Sequence, residues 1–209
     1  MRHAGRDAKD AKSPCGLVLD FVGGALGHRV RSGGGGAQAL RRAVGFTNGN
    51  TPIIVDATAG LGRDAFLRAS MGARITLIER SPEVHALLRD AQHRACAAGE
   101  AYAAIVGRMT LLLGDAKDLL PGLEAEVVLV DPMHPPRKGT ALVKNEMRQL
   151  RGLVGADPDA LELMQVALAT ATRRVVLKWP LRADPIADLR KASHQILGKT
   201  TRYDVFMIG

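Results

Sequence analysis

The chain has 209 residues, 46% of them hydrophobic and 24% charged, with a net charge of +8. This composition excludes a disordered tail, a collagen and a coiled coil, and fits one ordinary domain with at most a small appendage. No apolar run approaches bilayer-spanning length, the charged first residues lack a signal-peptide core, and Cys15 and Cys96 form no CxxC, so the expectation is a reduced, cytoplasmic chain without disulfide, membrane span or metal site.

Charge is spread unevenly along the chain. Residues 1–50 carry net +5, 51–136 net −3, 137–151 net +4, 152–172 net −3 and 173–209 net +5. A polyanion such as nucleic acid would be drawn to the basic ends and the basic internal stretch. A solvated basic surface explains the same numbers. Aromatic residues make up 3%, too few for a platform that stacks single-stranded bases.

Residues 1–50 are read as a basic N-terminal extension, with a glycine run at Gly33–Gly36 and a final helix over Ala37–Val44. From residue 51 the pattern alternates between short apolar runs and helical stretches. Strands are expected at 52–56, 74–79, 109–113, 126–131 and 174–178, with one or two more over 194–208. Helices are expected from Asp64 to Ser70, from Ser81 to about Ala98, over 116–120, from Asp157 to about Thr172 and over 185–192. Ser81-Pro82-Glu83 is a helix start, with a capping hydroxyl, proline in the first turn and an acid next to it. Alternation of this kind predicts an α/β fold, a Rossmann-like doubly wound parallel sheet spanning 51–209. Its ligand site belongs at the carboxyl ends of the strands.

The first expected strand leads into Asp56-Ala57-Thr58-Ala59-Gly60-Leu61-Gly62-Arg63-Asp64. Alternate glycines let backbone approach a ligand, and the following helix offers free N–H groups. Glu79 ends the next strand, where a carboxylate can accept from both hydroxyls of a ribose. Gly60-x-Gly62-x-x-Ala65 also satisfies the dinucleotide fingerprint, so an NAD-type oxidoreductase stays open, as does a tight turn without a ligand. The acids favour S-adenosylmethionine: Asp56 and Asp64 would repel a pyrophosphate and attract a sulfonium and an ammonium. Asp115 is placed to meet the adenine edge, to cap a helix, or both.

Asp131-Pro132-Met133-His134-Pro135-Pro136 follows the fourth strand. Prolines hold this turn extended and remove donors. Asp131 and the Pro132 carbonyl are thereby left as rigid acceptors. Two acceptors can orient an exocyclic amine and favour tetrahedral nitrogen, freeing its lone pair for in-line attack on a methyl carbon. The basic stretch from Arg137 to Arg151 then adjoins the presumed chemistry, and Arg137, Lys138, Lys144 and Arg148 are candidate phosphate ligands. Trp179 can stack a base or cap the core. His93 and Cys96 could share a metal ion, but no further ligand accompanies them.

These stretches together resemble the bacterial ribosomal RNA guanine-N2 methyltransferases that modify guanine 1516 of 16S rRNA. The matching segments are LDFVGGALGHRVRSGGGGAQALRRAVG (19–45), VDATAGLGRDAF (55–66), LIERSP (77–82), LVDPMHPPRKGTALVKNEMRQLRGLVGAD (129–157) and RVVLKWP (174–180). The resemblance implies a class I S-adenosylmethionine-dependent methyltransferase fold acting on 16S rRNA or the small ribosomal subunit. It places cofactor contacts on Arg63, Asp64, Glu79, Arg80, Asp115, Ala116 and Asp131. Asp56, Gly60 and Gly62 would hold the methionine end. Asp131, Pro132 and His134 would meet the base, with His134 standing where the family tends to have an aromatic. His28, Arg29 and Arg31 join the internal basic stretch as candidate RNA ligands. Adenine N6 methylation and a non-catalytic RNA-binding module are the remaining alternatives.

Overall fold

The computed structural model describes residues 18–31, 38–47, 51–133 and 159–209. Seven strands form one sheet: β1 (Ile53–Asp56), β2 (Arg74–Glu79), β3 (Met109–Leu113), β4 (Val127–Val130), β5 (Arg174–Pro180), β6 (His194–Leu197) and β7 (Thr201–Met207). Their spatial order is β3-β2-β1-β4-β5-β7-β6. β1 to β5 run parallel, while β7 is antiparallel to both β5 and β6. The mixed α/β fold with a doubly wound sheet is therefore as the alternation predicts. The order reverses between β1 and β4, and such switch points open a crevice at the carboxyl edge.

The central strands are buried on both faces, which is why they read as continuous β-branched runs. Their side chains alternate between two cores, as strand geometry requires. Ile54, Leu129 and Val176 join one core with Phe66, Leu88 and Ala91. Val55, Val128, Val130, Val175 and Leu177 join the other with Leu120, Leu163 and Met164. On the first face lie α1 (Gly24–Arg31), α2 (Gln38–Ala43), α3 (Arg63–Ser70), α4 (Pro82–Ala97) and α5 (Glu100–Val106); on the second lie α6 (Ala116–Leu119) and α7 (Ala160–Thr170).

Ser81 caps α4 as its sequence demands, its hydroxyl accepting the Val84 N–H at 3.3 Å. Gly99 leaves α4 with φ +137° and opens α5 at once, a helix that the sequence reading leaves unassigned. Residues 19–44 contribute to the same core as the sheet. Leu19, Phe21, Leu40, Ala43 and Val44 are buried in it, and the Phe21 ring stacks on Phe66 of α3 with centroids 4.6 Å apart.

The helix expected over 185–192 does not form. Residues 181–193 are turns and irregular chain between β5 and β6. Asp188 sits at φ +61°, a left-handed conformation that interrupts any right-handed helix. Arg202, buried in β7, also gathers the carbonyls of Pro180, Leu181 and Ala183 at 2.7–3.3 Å. The tail expected as one or two strands is the β6–β7 hairpin.

Candidate functional site

β1 ends at Asp56, and the chain crosses the carboxyl ends of both neighbouring strands before it enters α3. The Ala57 N–H donates to the Leu129 carbonyl at 2.9 Å, and the Ala59 N–H to the Ile78 carbonyl at 3.1 Å. Gly60 and Gly62 then take left-handed φ values of +52° and +61°. A Cβ on Gly62 would stand 2.6 Å from Leu88 Cδ2 and 3.4 Å from Phe21 Cζ, so conformation and space both require glycine. Gly62 caps α3 without a side-chain hydrogen bond, leaving its first N–H groups without a side-chain acceptor.

Glu79, at the end of β2, braces this turn. Its Oε2 accepts the Gly60 N–H at 3.0 Å and its Oε1 accepts the Ser81 N–H at 2.9 Å. The residue is 4% exposed. A carboxylate offers about four acceptor positions, more than these two backbone donors fill. That suits the paired hydroxyls of a ribose.

An acidic cluster lies beside the turn. Asp56 is buried and pairs with Arg68 of α3 at 3.4 Å, and its other oxygen accepts the Thr58 N–H. Lys178, at the end of β5, reaches Asp131 Oδ2 at 2.7 Å and Asp64 Oδ2 at 3.3 Å. The Asp131 N–H donates to Thr58 Oγ1 at 2.7 Å, tying the end of β4 to the glycine turn. Burial pushes the Asp56 carboxyl above its ordinary value despite Arg68, with Asp131 adding to the rise. Burial also raises Asp131 against the pull of Lys178. At Asp64 burial acts the same way but is outweighed by Lys178, Arg68 and Arg29, so this carboxyl stays below its ordinary value. Burial opposes the charge of Lys178, yet Asp131 and Asp64 hold its ammonium well above the usual lysine range.

These residues fit a cationic nucleoside cofactor. Three carboxylates gather around Arg68 and Lys178, with Arg29 reaching Asp64 from α1. The side chains of Asp64 and Asp131 are 39% and 40% exposed, so carboxylate oxygens reach the rim beside the Lys178 ammonium that pairs with both. A ligand ammonium could be accepted by these exposed carboxylate oxygens.

The other expected site residues fall as follows. Asp115 caps α6, its Oδ1 accepting the Lys117 N–H at 2.8 Å, and Ala116 behind it is buried. Arg63 opens α3. Arg80 leans to Asp159 at 3.5 Å, and Lys117 joins the same carboxylate at 2.7 Å. This network fastens the start of α7 to the far rim of β2 and β3. Pro132 is buried next to Asp131. His28 is exposed on α1, whereas Arg31 is engaged with the Val22 carbonyl at 3.2 Å and the Tyr102 hydroxyl at 3.3 Å. His134, Arg137, Lys138, Lys144 and Arg148 lie outside the described residues. Trp179 packs on the second core and donates its indole N–H to the Asp184 carbonyl at 2.8 Å, the core-capping alternative. The sequence reading puts Lys178 on the same rim, at the end of the fifth strand, without giving it a role, and it misses Thr58 and Arg68. Lys178 carries a signal, a charge that directly follows the apolar run Val175–Leu177. Arg68 carries none, because a buried helix arginine looks like a surface one until its partner Asp56 is located. Among the described residues no group of three or more histidine, cysteine or acidic side chains could hold a metal ion, and no helix is long and apolar enough to cross a membrane.

Known proteins carry the same pattern. A family model described as "Putative SAM-dependent methyltransferase" matches residues 5–208. The chain is 70% identical over 192 residues to a ribosomal RNA small subunit methyltransferase J of Agrobacterium fabrum, covering 92% of each chain. It is 68% identical to the protein of that name from Brucella anthropi, covering 91% of this chain and 93% of that one. The crystal structure of a SAM-dependent methyltransferase from Neisseria gonorrhoeae superposes with a TM-score of 0.71 at 33% identity, over 91% of this chain and 74% of that one. The family decides the cofactor between the two nucleotide readings, in favour of S-adenosylmethionine. The chain belongs to the S-adenosylmethionine-dependent methyltransferases, within the ribosomal RNA small subunit methyltransferase J family.

Proposed function

We propose that this enzyme transfers the methyl group of S-adenosylmethionine to the exocyclic N2 amine of guanine 1516 in 16S rRNA, working in the cytoplasm on the RNA or the small ribosomal subunit. The observation that carries the reading is Asp131: a carboxylate at the end of β4, fixed through its amide to Thr58 and through Oδ2 to Lys178, beside the glycine turn and open to the rim. The names of the relatives supply the RNA class, and the sequence resemblance supplies the nucleotide.

In this mechanism Glu79 accepts from the ribose hydroxyls. The Gly60 and Gly62 backbone, the start of α3 and Asp64 hold the methionine end, with Asp56 setting the turn from beneath through its bond to the Thr58 amide. Arg63, Arg80, Asp115 and Ala116 border the adenine. The bound sulfonium supplies an already activated methyl electrophile. Asp131 and the Pro132 carbonyl would orient the amine, accepting from its two N–H groups so that the lone pair is free to take the methyl; the C–S bond would break as the N–C bond forms, S-adenosylhomocysteine would leave, and Asp131 would take the proton the nitrogen sheds. His134 stacks on the base. His28, Arg29, Arg137, Lys138, Lys144 and Arg148 neutralise RNA phosphates, with Arg31 placed to steady α1. Most of the rate gain then comes from positioning.

The test is to incubate the enzyme with tritiated cofactor and small subunits from cells lacking the activity, then digest the RNA and identify the labelled nucleoside. Label as N2-methylguanosine at position 1516 is expected. Label as N6-methyladenosine would move the target to adenine. RNA retention without label would leave a binding module.

A further inference from the structure

Lys178 joins two carboxylates to which the proposed reaction gives different partners. Asp64 stands at the start of α3 on the cofactor side, and Asp131 ends β4 on the substrate side. Lys178 Nζ is 3.3 Å from the first and 2.7 Å from the second. We propose that Lys178 is a positioning residue for methyl transfer: its ammonium keeps Asp131 ionised and pointed, with Oδ2 engaged and Oδ1 left for the substrate amine. The role rests on the reading of Asp131 as the amine acceptor.

The surrounding charges explain why such a residue is needed. Asp131 is faced by Asp64 and Arg68 from α3, Asp56 from β1, Tyr203 from β7 and Lys178 from β5, while Arg29 of α1 approaches Asp64. Arg68 pairs with Asp56, its Nη2 lying 3.4 Å from that carboxylate, and supports the charge of Asp131 less than Lys178 does. Without Lys178, Asp131 would share a partly dry pocket with two like charges, and the proton it then binds would relieve the repulsion. A protonated Asp131 donates where the reaction needs it to accept. It also withdraws the negative charge that favours tetrahedral nitrogen. A merely structural ion pair makes a different prediction: its loss would lower stability and activity together, at every pH alike.

Both roles can be separated with K178M and K178R, assayed for kcat across about pH 5.5 to 8.5. Calorimetry with S-adenosylhomocysteine and thermal melting run alongside. K178M should lose kcat progressively toward acid pH, by at least about tenfold relative to wild type at the acid end, with its acid limb moved up by at least about one pH unit. KM for the subunit and the affinity for S-adenosylhomocysteine should stay within about threefold, well under the tenfold that 1.4 kcal/mol represents. K178R keeps the charge and should hold the limb in place. Adding D64N to K178M removes one like charge and should move the limb back down. K178Q gives the same reading if K178M loses its fold. A pH-independent loss in K178M, or none, would overturn the role. An inactive wild type would overturn the methyl-transfer reading itself, and this role with it.

Discussion

Glu79→Gln tests how the cofactor cradle is built. The carboxylate accepts the Gly60 N–H through one oxygen and the Ser81 N–H through the other, at 3.0 and 2.9 Å, in a residue 4% exposed. An amide has one oxygen. However the glutamine turns, its NH2 group confronts one of these two backbone donors. One bond is lost and a buried N–H is left unsatisfied, at a cost of about 1–3 kcal/mol. For a chain of this size each kcal/mol corresponds to roughly 2–4 °C in Tm, so the variant should melt about 3–10 °C lower. Binding suffers separately, because hydrogen bonds from the ribose to a charged acceptor contribute about 1.5–3 kcal/mol, equivalent to roughly ten- to a hundredfold in Kd. Calorimetric titration with S-adenosylhomocysteine, read beside a thermal melt, measures both. An affinity within threefold of wild type would refute the assignment of Glu79 to the ribose. A lower Tm with unchanged binding would restrict Glu79 to bracing the turn.

Other substitutions probe other parts. Gly62→Ala forces an L side chain to φ +61° with its Cβ 2.6 Å from Leu88 Cδ2, and strain plus overpacking should cost about 2–4 kcal/mol in urea unfolding. An unchanged midpoint would mean that the turn relaxes freely. Asp131→Ala should cut kcat at least about hundredfold through lost orientation, with S-adenosylhomocysteine still bound; normal turnover would remove Asp131 from the chemistry. Asp159 is held below its ordinary carboxyl value of 3.8 chiefly by its hydrogen bond to Lys117, so the stability it contributes is present above about pH 4 and is lost as pH falls through its folded value. Asp159→Asn should therefore flatten the acid limb of a stability–pH curve below pH 4, and an identical limb would refute that assignment.

The sheet was legible because its central strands are buried on both faces, and this burial writes itself into Ile53-Ile54-Val55 and Val127-Val128-Leu129-Val130 as uninterrupted apolar runs. The glycine turn was legible for a related reason: left-handed backbone at Gly60 and Gly62 admits few other residues. Local patterning does not record long-range partners. Arg202 and its three carbonyls lie about twenty positions apart in the chain, and they decide that 181–193 is irregular although Pro185-Ile186-Ala187 reads as a helix start. Arg68 is hidden in the same way, since it is defined by a carboxylate on another strand, and Lys178 can be placed on the rim while its two carboxylate partners cannot be read. Phe21 shows the converse. A segment that looks like a basic extension from its charge packs Leu19, Phe21, Leu40, Ala43 and Val44 into the core, with Phe21 stacked on Phe66.

A crystal structure of the enzyme with S-adenosylhomocysteine would test the central claim most directly. Ribose hydroxyls should lie on the Glu79 carboxylate, the amino-acid end over Gly60 and Gly62, and the sulfur should face Asp131 while Lys178 still holds Oδ2. A ligand bound away from the β1–β4 crevice, or an Asp131 carboxylate turned from the sulfur, would contradict it.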